Sequence, residues 1–317
     1  MRILVTGSNG FVATELINTL IEKMGYDVVG AVRRPVVSGV LGKLAVVGEI
    51  NSLTDWKPYL SDVEVVIHTA ARTHIINETA ANPLEAFRRT NVSGTLNLAY
   101  QAATAGVRRF IFLSSIGVNG KSTRFGQKIT TDDLPVPHDP YSLSKYEAEQ
   151  GLRQLAVETG LEVVVIRPPL VYGAHAPGNF GRLLQVLSKR LPLPLGAIHN
   201  KRSLVALDNL VDLIITCLDH LAAANQTFLV SDGEDLSTTE LLRRMGLALG
   251  RPARLIPVPS ALLEAGAALL GRHDMAQRLC GSLQVDISKT RMLLGWNPPI
   301  SVDEGLRRTA RKFLHGL

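Results

Sequence analysis

Short apolar runs alternate with stretches of helical periodicity over roughly the first half of the chain. Six runs have the length and β-branched character of buried strands. Alternation of strands and helices predicts a doubly wound α/β fold, with a parallel sheet between two layers of helices. The predicted strands cover residues 2–6, 26–32, 44–50, 63–71, 109–115 and 163–169.

The first predicted strand breaks at a glycine-containing turn before helical periodicity resumes. Gly7 permits a tight turn, Gly10 allows the backbone close to a phosphate, and Ala13 is small enough for close helix–strand packing. The N-terminus of the following helix offers free N–H groups to a dinucleotide pyrophosphate. We therefore expect a Rossmann-type sheet, the alternative being an ordinary strand–helix turn. The residues expected to contact the cofactor here are Gly7, Asn9, Gly10, Phe11 and Val12.

The end of the second strand is where the cofactor's adenosine ribose should be recognised. NAD sites usually place an acidic residue there, and NADP sites place an arginine. This strand ends in Arg33 and Arg34 with no acid. NADP(H) is therefore favoured and NAD(H) is possible, unless both arginines merely solvate a loop.

Other strand ends should complete the cofactor site. Glu49-Ile50 would flank the adenine, and the small Ala70-Ala71 pair would allow the backbone close to the cofactor. Asn91 could brace the adjacent loops as readily as touch the ligand. His68 is interpreted as a strand histidine with satisfied neighbours rather than a base.

Candidate acid/base chemistry lies further along the chain. Asp139 can cap a helix whose first turn holds Pro140, so that Tyr141 and Lys145 share one face. An ammonium beside a phenol should lower the tyrosine's pKa towards neutrality, although such a pair can also be a solvated surface feature. Ser115 ends a strand at the same sheet edge and could share a substrate oxygen with Tyr141.

Composition narrows the class of ligand. The 317-residue chain carries a net charge of +6 from dispersed arginines, with only 5% aromatic residues, which disfavours nucleic acid and favours small anions. The cysteines Cys217 and Cys280 show no metal-ligand spacing and indicate a reduced, cytoplasmic protein without a metal. No apolar run is long enough to predict a membrane span.

Motifs typical of one family occur in order along the chain. They are Gly7-x-x-Gly10-x-x-Ala13, Ala70-Ala71, Asn91-Val92-x-Gly94-Thr95, Ser114-Ser115, Tyr141-x-x-x-Lys145, Arg167-Pro168-x-x-Val171-Tyr172-Gly173 and Asp286-x-Ser288-Lys289-x-x-x-x-Leu294-Gly295-Trp296-x-Pro298. The chain resembles the extended short-chain dehydrogenases/reductases of the sugar-nucleotide epimerase/dehydratase family. The resemblance implies Ser115, Tyr141 and Lys145 as the catalytic set, and a cofactor contact at Pro168.

The same resemblance implies a smaller C-terminal α/β lobe that binds a UDP-sugar. Its expected diphosphate contacts are Asn179 and Arg202, with Arg278 nearby at a spacing shorter than the usual 4-epimerase pattern. The expected nucleotide-binding domain covers residues 1–172 and about 203–230. The expected substrate lobe covers residues 173–202 and 231–317. Homodimerisation is common in the family.

The resemblance supports more than one reaction at the sugar's C4. The arginines after the second strand favour an NADPH-dependent reductase of a UDP-4-keto-6-deoxy-hexosamine for O-antigen synthesis. The alternative is a UDP-glucose or UDP-GlcNAc 4-epimerase, which uses the same catalytic groups and usually retains NAD. A more remote alternative is a dinucleotide sensor without turnover, although the Tyr141/Lys145 pair argues against it.

Overall fold

The core of the molecule is a seven-stranded parallel sheet. The structure is a computed structural model that describes residues 1–35, 41–73, 82–124, 126–271 and 273–315, without the side chains of residues 179 and 273–275. The strands of the sheet lie in the order β3-β2-β1-β4-β5-β6-β9. The strands are β1 (Arg2–Thr6), β2 (Asp27–Val32), β3 (Lys43–Val46), β4 (Val65–His68), β5 (Arg109–Leu113), β6 (Glu162–Arg167), β7 (Leu170–Tyr172), β8 (Arg202–Ala206), β9 (Thr227–Leu229) and β10 (Asp235–Leu236).

Helices cover both faces of this sheet, as the alternating pattern predicts. The helices are α1 (Phe11–Glu22), α2 (Pro83–Arg88), α3 (Thr95–Thr104), α4 (Pro140–Thr159), α5 (Asn179–Ser188), α6 (Leu207–Asp219), α7 (Thr238–Ala248), α8 (Ser260–Leu269), α9 (His273–Cys280), α10 (Ser288–Leu294) and α11 (Val302–His315). The Rossmann-type fold class is therefore confirmed.

Strand β1 shows why the sheet is buried on both faces. Ile3 and Val5 point to one side, into a core shared with α1 and α6. Leu4 points to the other side, into a core shared with α3 and α4. All three side chains are fully buried, which explains why the strand is a continuous apolar run rather than an alternating one.

The observed sheet differs from the predicted one in where several strands end and in one additional strand. β4 ends at His68 and β5 ends at Leu113, so Ala70-Ala71 and Ser115 follow their strands. The third strand ends at Val46, so Glu49-Ile50 lies in the loop beyond it. A seventh strand, β9, pairs with β6 at the opposite edge of the sheet. Its three residues are too few for a periodicity signal, and tertiary pairing alone defines it.

A second, smaller sheet has the order β10-β8-β7. It packs with α5, α7 and α11 around a separate core that includes Tyr172, Phe180, Leu242 and Leu306. Strand β8 belongs to this sheet, whereas α6 and β9 pack with the large one. The division of the chain at the expected lobe boundaries stays a prediction.

The order of the strands indicates which edge of the large sheet can bind a ligand. The chain turns from β1 outwards to β3 and then returns through β4 to the other side, so the order reverses between β1 and β4. In open parallel sheets, ligands bind beyond the carboxyl ends of the strands at such a reversal. Of the helices in the described ranges, none combines the length and apolar character that a membrane crossing requires.

Gly7 offers a test of how closely this edge is packed. Its φ is +70°, and a Cβ added there would lie 2.9 Å from the Cα of Ala70. Gly25 has a φ of +65° with nothing within 4 Å of such a Cβ, so it is a matched control. Gly25→Ala should lose about 1–2 kcal/mol of unfolding free energy from the left-handed backbone alone. Gly7→Ala should lose about 1–3 kcal/mol more from overpacking.

Urea unfolding monitored by circular dichroism measures both losses. Equal losses in the two variants would contradict the close approach of Gly7 to the β4 end.

Candidate active site

The turn after β1 is built to receive an anion. Gly10 is the N-cap of α1 and provides no side-chain cap, so the first N–H groups of the helix remain available. Ser8 holds the turn, since its Oγ donates to the main-chain oxygens of Val5 at 2.9 Å and Ala31 at 3.0 Å. Asn9 is exposed at the tip. These features fit a dinucleotide pyrophosphate.

Phe11 and Val12 lie half-buried in the first turn of α1. A Cβ added at Gly173 would lie 2.9 Å from the ring of Phe11, so this ring packs on the chain that leads into the smaller sheet. The end of β4 approaches from the other side, where Ala70 donates its N–H to Thr6 Oγ1 at 3.3 Å. Ala70 and its neighbour Ala71 are half-buried beside the turn, as their small size suggested.

His68 is a structural residue, as expected. Its Nδ1 lies 2.7 Å from Thr6 Oγ1 and its Nε2 lies 3.0 Å from Thr95 Oγ1. Burial, and secondarily the charge of Lys145, lower the pKa of His68 to about 3. A neutral imidazole with both nitrogens engaged does not act as the base.

The arginines after β2 are both exposed. The Nη1 of Arg33 lies 3.6 Å from Oε1 of Glu49, with both side chains more than half exposed. The loop therefore places a carboxylate as well as two guanidinium groups near the expected ribose and adenine region. Ile50 packs against Gly94, where an added Cβ would lie 2.7 Å from its Cγ2.

Asn91 lies in a π-helical turn, residues Arg89–Gly94, between α2 and α3. Its Nδ2 donates to the main-chain oxygen of Arg72 at 3.0 Å and to Ser144 Oγ at 2.9 Å, and its Oδ1 accepts from the Arg72 N–H at 2.8 Å. Of the two roles considered, the structure shows the bracing one. Asn91 joins the loop after β4 to the helix that carries the Tyr–Lys pair.

The start of α4 matches the sequence prediction closely. Asp139 caps the helix by accepting the Ser142 N–H at 2.7 Å, and Pro140 occupies the first turn. The ring of Tyr141 meets Phe87 edge-on at a centroid distance of 6.2 Å. The phenol is thus held between α4 and α2.

Lys145 lies one turn further along α4 and is only 1% exposed. Its Nζ donates to the main-chain oxygen of Leu113 at 2.8 Å and lies 4.4 Å from the centre of the Phe112 ring. Burial lowers the pKa of Lys145 to about 7, and the carboxylate of Glu149 partly opposes that shift. The ammonium is therefore anchored at the end of β5.

The lowered pKa expected for Tyr141 is wrong. Burial, and secondarily the charge of Asp139, raise the tyrosine's pKa rather than lower it. The sequence showed the ammonium one turn away but not the desolvation of the phenol. Tyr141 is consequently protonated at neutral pH.

Ser115 follows the end of β5, beside this helix. Its Oγ accepts the N–H of Gly117 at 3.1 Å and is half-buried. Gly117 lies between the two elements, because a Cβ added there would collide with Ser142 Oγ and would lie 3.3 Å from Ser115 Oγ. The missing side chain lets the strand end approach the first turn of α4 next to Tyr141. Pro168 is buried nearby, and its main-chain oxygen accepts from Ile116 N at 3.0 Å.

A buried polar network beneath these residues was missed from sequence. Glu149 accepts from Ser114 Oγ at 2.5 Å and from Arg167 Nε at 2.9 Å. Arg167 in turn donates from Nη1 to Asn119 Oδ1 at 2.9 Å. The spacing of Glu149, one helical turn after Lys145, was the available signal.

The smaller sheet brings two of the expected diphosphate contacts together. Arg202 is half-buried, and its Nη1 donates to the main-chain oxygen of Gly281 at 3.0 Å. Burial, and the nearby charge of Arg278, lower the pKa of Arg202. Arg278 itself is exposed on α9. Asn179 begins α5, but its side chain lies outside the described residues.

A phosphate-binding turn, a Tyr–Lys pair and a serine at one edge of a parallel sheet are typical of dinucleotide-dependent oxidoreductases and isomerases. A sequence model of the NAD dependent epimerase/dehydratase family matches residues 3–231. The chain therefore belongs to this family, as its resemblance to extended short-chain dehydrogenases/reductases implied. It is an enzyme of the NAD-dependent sugar-nucleotide epimerase/dehydratase type.

Two curated relatives cover nearly the whole chain. A UDP-glucose 4-epimerase from Vibrio cholerae is 49% identical over 313 residues, which cover 98% of this chain and 95% of that protein. A 3-beta-hydroxysteroid dehydrogenase from Mycolicibacterium neoaurum is 28% identical over 335 residues, which cover 96% of this chain and 89% of that protein. Among solved structures, a UDP-glucuronic acid 4-epimerase from Bacillus cereus in complex with NAD has a TM-score of 0.79 at 21% identity over 99% of both chains. That likeness shows the fold.

The buried ammonium of Lys145 makes stability depend on pH. Between its folded pKa of about 7 and its ordinary value of 10.5, the unfolded chain binds one more proton, so the unfolding free energy rises with pH. Relative to Lys145→Met, the wild type should gain about 1.4 kcal/mol per pH unit between about pH 7 and pH 9.

Urea unfolding of the dinucleotide-free proteins at pH 7, 8 and 9 tests this. Lys57→Met, at an exposed lysine, is the control and should keep a constant difference from the wild type. A constant difference for Lys145→Met as well would show that its ammonium is not desolvated.

Proposed function

We propose that this protein is an NAD-dependent 4-epimerase of a UDP-hexose, with UDP-glucose and UDP-GlcNAc as the first candidates. The observation that supports it most is the arrangement around Gly117. There the strand end with Ser115 meets the helix start with Tyr141, at the sheet edge that also carries the phosphate turn. One sugar hydroxyl could reach both side-chain oxygens.

In the proposed mechanism each residue either transfers a proton or positions the substrate. Tyr141 removes the proton of the C4 hydroxyl and later returns one, while Ser115 bonds the same oxygen and holds the sugar in place. A nicotinamide dinucleotide held by the turn that contains Gly7 and Gly10 would supply reversible hydride exchange at C4. Lys145, held by the Leu113 carbonyl, would also bond the cofactor's ribose.

Tyr141 must lose its proton before it can act as a base. Its raised pKa keeps it protonated at neutral pH, which suits the acid half of the cycle. The ammonium of Lys145, one helical turn away, would favour the phenolate for the other half.

The nucleotide diphosphate is proposed to lie against Arg202 and Arg278. Burial and the charge of Arg278 both lower the pKa of Arg202, so an anion placed between the two guanidinium groups would be favourable, and a planar donor fork suits phosphate oxygens. Asn179 at the start of α5 is proposed as a further contact. UDP-sugar recognition by these groups would leave the hexose to extend towards Tyr141.

Epimerisation is now preferred over the 4-ketoreductase expected from the ribose pocket. The Vibrio cholerae relative, at 49% identity, is named a UDP-glucose 4-epimerase. The carboxylate of Glu49, 3.6 Å from Arg33, also offsets part of the charge that favoured NADP(H). The ketoreductase activity, the NADP(H) preference, a role in O-antigen synthesis, the cytoplasmic location and the homodimer stay predictions.

Incubation of the purified protein with UDP-glucose or UDP-GlcNAc, with no cofactor added, tests the proposal. An epimerase with retained cofactor should form the galacto epimer, detected by proton NMR of the anomeric signals, until the two epimers reach equilibrium. Dinucleotide released by denaturation should be NAD(H) rather than NADP(H). If both sugars remain unchanged while a UDP-4-keto-6-deoxy sugar consumes NADPH, the ketoreductase alternative is correct.

Tyr141→Phe tests the acid/base assignment. Removing the phenol hydroxyl should reduce turnover about 100-fold or more, the usual scale for loss of general acid–base catalysis. Cofactor binding and the urea midpoint should change little, because the ring still packs on Phe87. Tyr146→Phe, on the same helix, is the matched control and should keep wild-type turnover. Equal turnover in both variants would remove Tyr141 from the mechanism.

A further inference from the structure

Glu149 is a fully buried carboxylate directly beneath the proposed catalytic set. It lies on α4, one turn after Lys145 and two turns after Tyr141, on the same face of the helix. Its Oε1 accepts from Ser114 Oγ at 2.5 Å and from Arg167 Nε at 2.9 Å. Its Oε2 accepts a second hydrogen bond from the Arg167 guanidinium. A buried charge survives only when it is paired and hydrogen-bonded in this way.

Glu149 also accepts from Nη2 of Arg153 on its own helix at 3.4 Å, whereas its other two partners stand at the ends of two neighbouring strands. Ser114 immediately precedes Ser115 after β5, and its N–H donates to the Ile166 oxygen of β6 at 2.8 Å. Arg167 ends β6 and immediately precedes Pro168. One carboxylate on α4 therefore connects the catalytic helix to both strand ends that form the floor of the site.

We propose that Glu149 is a positioning residue for the reaction, which rests on the function proposed above. Its carboxylate fixes the ends of β5 and β6 relative to Tyr141 and Lys145, and it supplies the negative charge that keeps the buried Lys145 ammonium protonated. Arg167 is the partner that allows this carboxylate to stay ionised away from water.

The charges around Lys145 support the second part of the proposal. Glu149 acts on Lys145 from the same helix and raises its pKa against the effect of burial. His68 faces it from β4 and is neutral above about pH 3. Tyr141 on α4 is protonated at neutral pH. Arg167 reaches the region from β6 and is paired with the Glu149 carboxylate. Glu149 is thus the anion that favours the protonated lysine.

The pKa of Lys145 can be measured directly by NMR titration of lysine labelled at the ε-carbon. The full-length protein is titrated with and without added NAD, and the Lys145 signal is assigned by its loss in Lys145→Met. Glu149→Gln should move this pKa downwards by about one unit or more, since the attraction between carboxylate and ammonium is lost. Glu149→Asp keeps the negative charge, so the pKa of Lys145 in this variant should remain closer to that of the wild type.

Glu158→Gln is the matched control, because Glu158 is exposed near the end of the same helix and accepts only from Gln154 among the described side chains. The pKa of Lys145 in Glu158→Gln should match that of the wild type. Because Glu149→Gln leaves the Arg167 guanidinium without its carboxylate, the double variant Glu149→Gln/Arg167→Met is prepared as well. This double variant also lacks the carboxylate and should likewise lower the pKa of Lys145.

Turnover gives the second readout. In the Glu149 variants that lower the pKa of Lys145, the alkaline limb of the pH profile of kcat/KM for the UDP-hexose should move to lower pH by the same amount. A purely structural role would instead lower activity equally at every pH. An unchanged Lys145 pKa in both Glu149→Gln variants would overturn the inference. A shifted pKa in a protein that turns over no UDP-hexose would support it while rejecting the proposed function.

Discussion

Desolvation of the Lys145 ammonium is the constraint on which the site depends. The side chain is almost completely buried, and burial alone would drive off its proton near neutral pH. The Leu113 carbonyl, the face of the Phe112 ring and the Glu149 carboxylate each offset part of that cost. Because these partners come from β5 and α4, the charge of one lysine couples the sheet edge to the catalytic helix.

The surrounding architecture follows from how close the elements must approach. Gly7 brings the phosphate turn against Ala70, and Gly117 brings the Ser115 strand end against the start of α4. Asn91 and Glu149 then hold these segments from two sides, through Ser144 and through Ser114 with Arg167. The proposed epimerase chemistry needs such rigidity, since the hydride, the phenol and the sugar oxygen must be aligned twice in each cycle.

The family and its comparisons limit the choice of substrate but leave it open. The chain belongs to the NAD dependent epimerase/dehydratase family. Its relatives include a UDP-glucose 4-epimerase and a steroid dehydrogenase. The proposed diphosphate site at Arg202 and Arg278 would suit a nucleotide sugar better than a steroid, because an apolar ligand gains nothing from guanidinium groups.

The sequence by itself determined the parallel fold, the phosphate turn, the capped helix and the Tyr141/Lys145 face, because these depend on local periodicity, glycine geometry and capping. It also identified His68 as a satisfied strand residue. Only the tertiary structure decided the raised pKa of Tyr141, the pairing of β9 and the Glu149–Arg167 network. Each of these depends on burial or on partners more than fifteen residues away in the chain, and local pattern carries no information about desolvation.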